Sequence, residues 1–247
     1  MNICYRVMIV LVTTFAWVIP GCNAGQYTSE PVPTPGDQQV TTVPPYAVPA
    51  GTLPRDDALS ALNGLVIAPE GTQAGYDRDC GSGHACSFGP AWSDDVRVAG
   101  GHNGCRTRDD ILRRDLTDVR SPDGCVVTAG ELLDPYTGQT IAYQRGESDV
   151  DIDHVVALAQ AWRSGAAGWD PDQRRDLAND PRNLLAVEAG VNRSKGDDDA
   201  GQWLPPNAEY RCTYALIVTT VKALYRLTVD AQEMSMLRSE VETCPRG

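Results

Sequence analysis

The sequence is short of positive charge: 21 lysines and arginines face 33 aspartates and glutamates, a formal net charge of −12. That excludes a protein that coats nucleic acid by bulk electrostatics, because phosphate neutralisation needs Lys and Arg, so any such contact must be local. Histidine is scarce, with three in the chain. No cysteines stand at CxxC spacing, which argues against a zinc ribbon. The apolar run near the start, Val7 to Ile19, is too short and too poorly flanked for a permanent membrane span. No internal repeat is visible.

What is present points first to export. Arg6 precedes the apolar run and Ile19-Pro20-Gly21-Cys22 follows it, so residues 1–22 read as a signal peptide. The same four residues resemble a bacterial lipobox, in which Cys22 becomes the lipidated first residue of the mature chain. Two destinations stay open: secretion, or a lipid anchor on the outer face of a bacterial cell membrane. Residues 23–54 are rich in Pro, Thr, Gly and Ser and read as a disordered linker. Residues 55–247 form the expected folded body, and 42% hydrophobic content in the chain suffices for one domain with a core. Removing Cys4 and Cys22 from the eight cysteines leaves Cys80, Cys86, Cys105, Cys125, Cys212 and Cys244. An even set in an exported chain reads as three disulfides. Pairing of neighbours is expected because each bond then closes a local segment, and each contributes roughly 2–4 kcal/mol.

The local patterns predict an α+β body. A short helix is expected over Asp57–Leu65, and a glycine-rich loop over Gly71–Gly104 that makes His84 and His102 surface residues. TRDDILRRDL offers Thr107 as an N-cap hydroxyl for a helix, and Arg106 and Arg108 beside it have a structural reading. Strands are expected at Cys125-Val126-Val127 and Thr140–Tyr143, separated by the turn DPYTG. Helices follow at Val155–Trp162 and Asp172–Ala178, then a strand at Leu184–Val187 and a helix from Val191 to Trp203 stopped by Pro205-Pro206. A long amphipathic helix begins near Glu209, and a last one spans Asp230–Val241. Trp162, Trp169 and Trp203 are expected to pack in the core or cap helices.

Chemistry concentrates in DVDIDHVVAL. As a calcium loop it fails: His154 stands where an EF-hand needs glycine, and Gln160 where it needs glutamate. As a strand it works, with Val150 and Ile152 alternating with acids. Asp149 and Asp151 then decorate an edge. At the strand's end, a turn into a helix lets Asp153 and His154 address one site, a carboxylate suited to a hard divalent ion beside a general base. Downstream, Asn183 precedes a short apolar strand, and Asn192, Lys195 and Asp199 fall at helical spacing on one face. Asp197-Asp198-Asp199 reads as a solvated helix face. An amide oxygen beside a carboxylate makes a weak cage suited to Mg²⁺.

A strand ending in Asp-His, an Asn-led strand and then Asn-x-x-Lys-Gly on a helix resembles the HNH nucleases of the ββα-metal type. The blocks GCRTRDDILRRDLTDV, DPYTGQTIAYQRG, DIDHVVALAQAWRSGA, LANDPRNLLAVEAGVNRSKGDDDAGQWLPPN and YRCTYALIVTTVKALYRL are similar to exported actinobacterial HNH endonuclease family proteins, related to the C-terminal domain of GmrSD-type restriction enzymes. The resemblance implies a ββα-metal (HNH) core embedded in helices and stapled by disulfides. It implies His154 as general base, Asn183 as the middle asparagine that orients the base-bearing loop, and Asp153 and Asn192 as ligands of a divalent metal. The metal would be Mg²⁺, with Mn²⁺ or Zn²⁺ as alternatives. Lys195 and Arg145 could contact substrate phosphate or be ordinary surface charge. The implied activity is metal-dependent endonucleolytic hydrolysis of nucleic acid, with DNA as the expected substrate. The competing reading is a non-catalytic envelope lipoprotein that keeps such a scaffold without using it. Nothing in the sequence points to a protein partner, and only a lipid on Cys22 would bring the chain to a membrane.

Overall fold

The computed structural model describes residues 46–147 and 149–246; the expected signal peptide, Cys22 and residues 23–45 lie outside them. Among the described residues the chain is a mixed α+β domain of seven α-helices and five short strands. Helix α1 spans Arg55–Gly64 and α2 spans Thr107–Asp115. Helix α2 carries Asp109 and Asp110 in its first turn and Arg113 and Arg114 in its last, an order that complements the helix dipole, while Ile111 and Leu112 turn into the core. Thr107 is not its cap. Its hydroxyl donates to Ser93 O at 2.9 Å, and the N-cap position falls to Arg106.

Strands β1 (Leu116–Arg120), β2 (Ala129–Leu133) and β3 (Thr140–Gln144) form an antiparallel meander. The strand expected at Cys125-Val126-Val127 is absent because side chains take its donors. Asp123 Oδ1 accepts from the amides of Cys125 and Val126, and Asp109 Oδ1 accepts from Val127. Pairing with β3 starts only at Ala129.

A second sheet pairs β4 (Val150–His154) with β5 (Leu184–Glu188), antiparallel, with Asp153 opposite Leu185 and His154 opposite Leu184. Val150, Ile152, Leu184 and Ala186 join Ile111, Leu112 and Leu132 in one apolar cluster. Leu185 and Val187 join the other cluster, with Tyr136, Tyr214 and Val218. A strand buried on both faces needs apolar residues at consecutive positions, which is why β5 reads LLAV rather than alternating.

Helix α5 (Ala189–Lys195) follows β5 directly, its first amides accepted by the Glu188 side chain at 2.8 and 2.6 Å. It ends four residues after Val191, not at Trp203: Gly196, at φ +59° and ψ −122°, leaves the helical path there. The three aspartates that follow are therefore not a helix face. Asp199 is buried and accepts from Gly201 N at 2.7 Å, while Asp197 pairs with Arg163.

The helix expected from Val155 forms as α3 over Leu158–Arg163, because Asn183 holds the amides of Val155 and Val156. Helices α4 (Pro171–Asn179), α6 (Arg211–Tyr225) and α7 (Ala231–Thr243) complete the set. The aromatic residues pack as expected: Trp162 against Tyr76 and Phe88, Trp169 against Tyr225, Trp203 against Tyr136 and Tyr214.

Three disulfides join sequence neighbours: Cys80–Cys86 within the glycine-rich loop, Cys105–Cys125 from just before α2 to the connection between β1 and β2, and Cys212–Cys244 between the start of α6 and the end of α7. Ordered packing begins earlier than the expected boundary at residue 55. Tyr46 sits edge-on to Tyr210 at 5.7 Å, Tyr210 donates its hydroxyl to Ala47 O at 2.8 Å, and the Leu53 amide donates to Thr220 Oγ1 at 2.9 Å. Residues 46–54 therefore belong to the body rather than to a disordered linker.

Candidate active site

His154 closes β4, half-buried, and two contacts fix its ring. Trp92, held at φ +59° in the glycine-rich loop, stacks on it with centroids 5.7 Å apart and planes 12° from parallel. Nε2 lies 2.9 Å from Ala178 O. A carbonyl only accepts, so Nε2 carries the proton and Nδ1 keeps the lone pair. Burial pushes the imidazole pKa down to about 3, opposed by the Ala178 carbonyl and assisted by the positive charges of Arg78 and Lys195. The ring is thus neutral near pH 7, as a proton acceptor must be.

The backbone after His154 is clamped from the next element. Asn183, fully buried ahead of β5, accepts the Val156 amide at 2.8 Å and donates Nδ2 to Val156 O at 3.1 Å, while its own carbonyl accepts Val155 N at 2.9 Å. Three bonds to two consecutive residues turn the chain out of the strand. That is how Asp153 and His154, on opposite faces of β4, come to line one cavity.

Asp153 is 5% exposed, and each of its oxygens has a partner. Tyr136 donates its hydroxyl to Oδ2 at 2.5 Å, and Lys195 Nζ lies 2.9 Å from Oδ1 and 2.8 Å from His154 O. Burial raises the carboxyl pKa, and Lys195 and Tyr136 oppose that rise. Lys195 is 1% exposed, so it is neither surface charge nor free for a phosphate: it neutralises Asp153 and fixes the His154 carbonyl. Arg145 is committed elsewhere too, to the Asp109 carboxylate and, at 2.8 Å, to Val127 O, and it does not line the cavity. Both cations expected at substrate are structural here.

The cavity measures about 300 Å³ and is lined by Asp153, His154, Asn192, Arg78, Tyr76 and Asp197 among others. The Asn192 side chain makes no hydrogen bond among the described residues, and each Asp153 oxygen, with one donor, retains a further lone pair. One carboxylate and one amide oxygen bordering open space suit Mg²⁺, which keeps several waters and takes other ligands from phosphate oxygens. In kind, this donor set fits a hard divalent ion. A separate cluster able to hold an ion lies in the glycine-rich loop, where Asp77 Oδ2 is 3.0 Å from His84 Nδ1 and Asp79 Oδ2 is 4.0 Å from it. His84 is therefore more than an isolated surface residue, whereas His102 is largely exposed.

Asp151 and Asp149 stay peripheral: Asp151 is 39% exposed and 3.9 Å from Arg193, and Asp149 contributes its backbone carbonyl to Ala189 N. Sequence reasoning missed Tyr136, Trp92 and Arg78. Tyr136 could have been flagged within DPYTG, whose Asp134 carboxylate accepts Thr137 N, Tyr136 N and, across the structure, Glu188 N at 3.0 Å. Nothing local marked Trp92 or Arg78, because both come from an irregular loop, Trp92 to the His154 ring and Arg78 to the cavity wall.

The fold and cleft define a disulfide-bonded α+β domain with a His-Asp-Asn site suited to metal binding, consistent with nuclease-type chemistry. The chain belongs to the family described as GmrSD restriction endonucleases, C-terminal domain, which matches residues 106–239, more than half of its length. It is also 41% identical over 207 residues to an uncharacterized secreted protein of the fungus Arthroderma benhamiae, an alignment covering 83% of this chain and 93% of the fungal one.

Proposed function

We propose that this protein is an exported, metal-dependent endonuclease that hydrolyses phosphodiester bonds, with DNA as substrate, on a ββα-metal core made of β4, β5 and α5. The observation that carries the reading is His154: a neutral imidazole, oriented through Nε2, whose Nδ1 makes no hydrogen bond among the described residues, in a residue that lines one cavity with Asp153 and Asn192. Membership of a restriction-endonuclease domain family supports it, and the secreted fungal relative supports export. Lipidation of Cys22 remains the alternative destination.

Asp153 and Asn192 would hold Mg²⁺. When bound, the ion supplies a Lewis acid for the charge that develops on the phosphoryl and leaving oxygens. His154 Nδ1 takes a proton from water as the water oxygen bonds to phosphorus. The P–O3′ bond then breaks, leaving a 5′-phosphate, and the 3′ oxygen takes up a proton to become a hydroxyl. A phosphodiester in the cavity adds negative charge beside the ring and raises its proton affinity as the reaction needs it. Lys195 keeps Asp153 charged, Tyr136 sets its orientation, and Asn183 and Trp92 fix the base. A scaffold without chemistry would have no use for an imidazole and an amide left free on one cavity.

The test is the product. Plasmid nicked by the purified protein with Mg²⁺ or Mn²⁺ should be resealed by DNA ligase, and EDTA should stop the nicking. Nicks that ligase cannot seal would refute the proposed bond cleavage.

A further inference from the structure

Arg78 is the one cationic side chain that lines the cavity among the described residues. It stands outside residues 106–239, so the part of the chain that matches the restriction-endonuclease domain does not supply it. Its loop is built to hold it in place. The Cys80–Cys86 bond closes the loop, Asp79 O accepts Cys86 N at 3.0 Å, and Asp77 O accepts Ser87 N at 2.8 Å. Just ahead of Arg78, Tyr76 packs edge-on to Phe88 and Trp162, at 6.1 and 5.9 Å.

Despite that scaffolding, the guanidinium is nearly unspent. Its single hydrogen bond among the described residues is a long one, Nη1 to Gly89 O at 3.4 Å. The flanking carboxylates of Asp77 and Asp79 turn to His84 instead. Half-buried cations without a carboxylate are costly, and burial lowers the pKa of this one. Meanwhile Lys195 is consumed by Asp153 and Arg145 by Asp109, and no other lysine or arginine of residues 106–239 lines the cleft among the described residues.

We propose that Arg78 binds the non-bridging oxygens of the scissile phosphate, so that the disulfide-closed loop is part of the active site. The inference rests on the phosphodiesterase reading above. The planar guanidinium can meet two phosphate oxygens at once, and the contact strengthens as charge accumulates on phosphorus during attack.

Plasmid cleavage with Mg²⁺ should be measured for the wild type, Arg78→Ala, Arg78→Lys and the double variant Cys80→Ser/Cys86→Ser, together with thermal unfolding of each. Loss of one such donor typically costs on the order of 10²-fold in kcat, the fall expected for Arg78→Ala. Arg78→Lys should keep part of the rate, since a point charge remains without the fork. Arg78→Ala should unfold within about 2 °C of the wild type, because only a weak hydrogen bond is lost. The cysteine variant should lose rate too, because Arg78 is no longer held. Wild-type cleavage with an unchanged Arg78→Ala rate would overturn this inference and leave the nuclease reading standing. A folded wild type that cuts no nucleic acid would remove the nuclease reading itself.

Discussion

Replacing Lys195 by methionine removes one ammonium and little else, since the apolar stem keeps most of its packing. The structure makes the consequence large. Nζ is enclosed, 2.9 Å from Asp153 Oδ1 and 2.8 Å from His154 O, and Asp153 is 5% exposed, so solvent cannot replace the lost partner. Breaking a buried pair from one side costs about 3–5 kcal/mol. For a domain of this size that lowers the unfolding midpoint by roughly 6–20 °C. Asp153→Asn in the same background removes the stranded charge and keeps an oxygen for the Tyr136 hydroxyl, so the double variant should recover most of the loss. Urea unfolding with disulfides intact and metal chelated reads all four corners of the cycle. A Lys195→Met loss under about 1 kcal/mol would mean that the ammonium is solvated like a surface pair. A loss that Asp153→Asn does not recover would mean that Lys195 acts through packing, and either result would refute the buried-pair reasoning.

Other outcomes follow from the same structure. Asn183→Ala strands the buried Val156 amide and carbonyl and should cost about 1–3 kcal/mol for each, with nuclease activity falling further than stability because the turn after His154 loosens; circular dichroism melts and plasmid nicking separate the two. Glu233 is buried against Lys222 at 2.6 Å, and burial raises its pKa to about 7 from 4.5, with Lys222 opposing. The native state therefore binds the extra proton, so this group's stabilising share is complete below pH 4.5 and is lost as pH rises through about 7, on the order of 3 kcal/mol in all. Glu233→Gln should abolish that slope in urea titrations across the window. Cys212→Ser/Cys244→Ser should cost about 2–5 kcal/mol while leaving the cleft's activity per folded molecule unchanged, as judged by active fraction against melting temperature.

Regular elements with one periodic face were legible in the sequence, as were the strand at Asp153 and the carboxylate, imidazole and amides that meet at its end. Boundaries failed where side chains captured backbone amides: Asp123 and Asp109 at Cys125–Val127, Asn183 at Val155 and Val156. Those captures join residues up to 27 positions apart, which periodicity cannot register. Lys195, which the sequence leaves between a phosphate contact and surface charge, is neither, for the same reason. A charge looks exposed until its buried partner is located, and Asp153 lies 42 residues away. The glycine-rich loop looked like a wandering connector because it has no regular pattern, yet it brings Trp92 onto the His154 ring and Arg78 to the cavity. Tyr46 to Leu53 looked like tether because single aromatic and apolar residues among prolines show no face until a core receives them.

The central claim is that His154 is the base of a metal-dependent phosphodiesterase. Supercoiled plasmid incubated with Mg²⁺ and either the wild type or His154→Ala tests it most directly, with the variant's melting temperature confirming that it is folded. The wild type should nick the plasmid and the folded His154→Ala protein should lose about 10²-fold or more of the rate; equal cutting by the two proteins, or an inert but folded wild type, would contradict it.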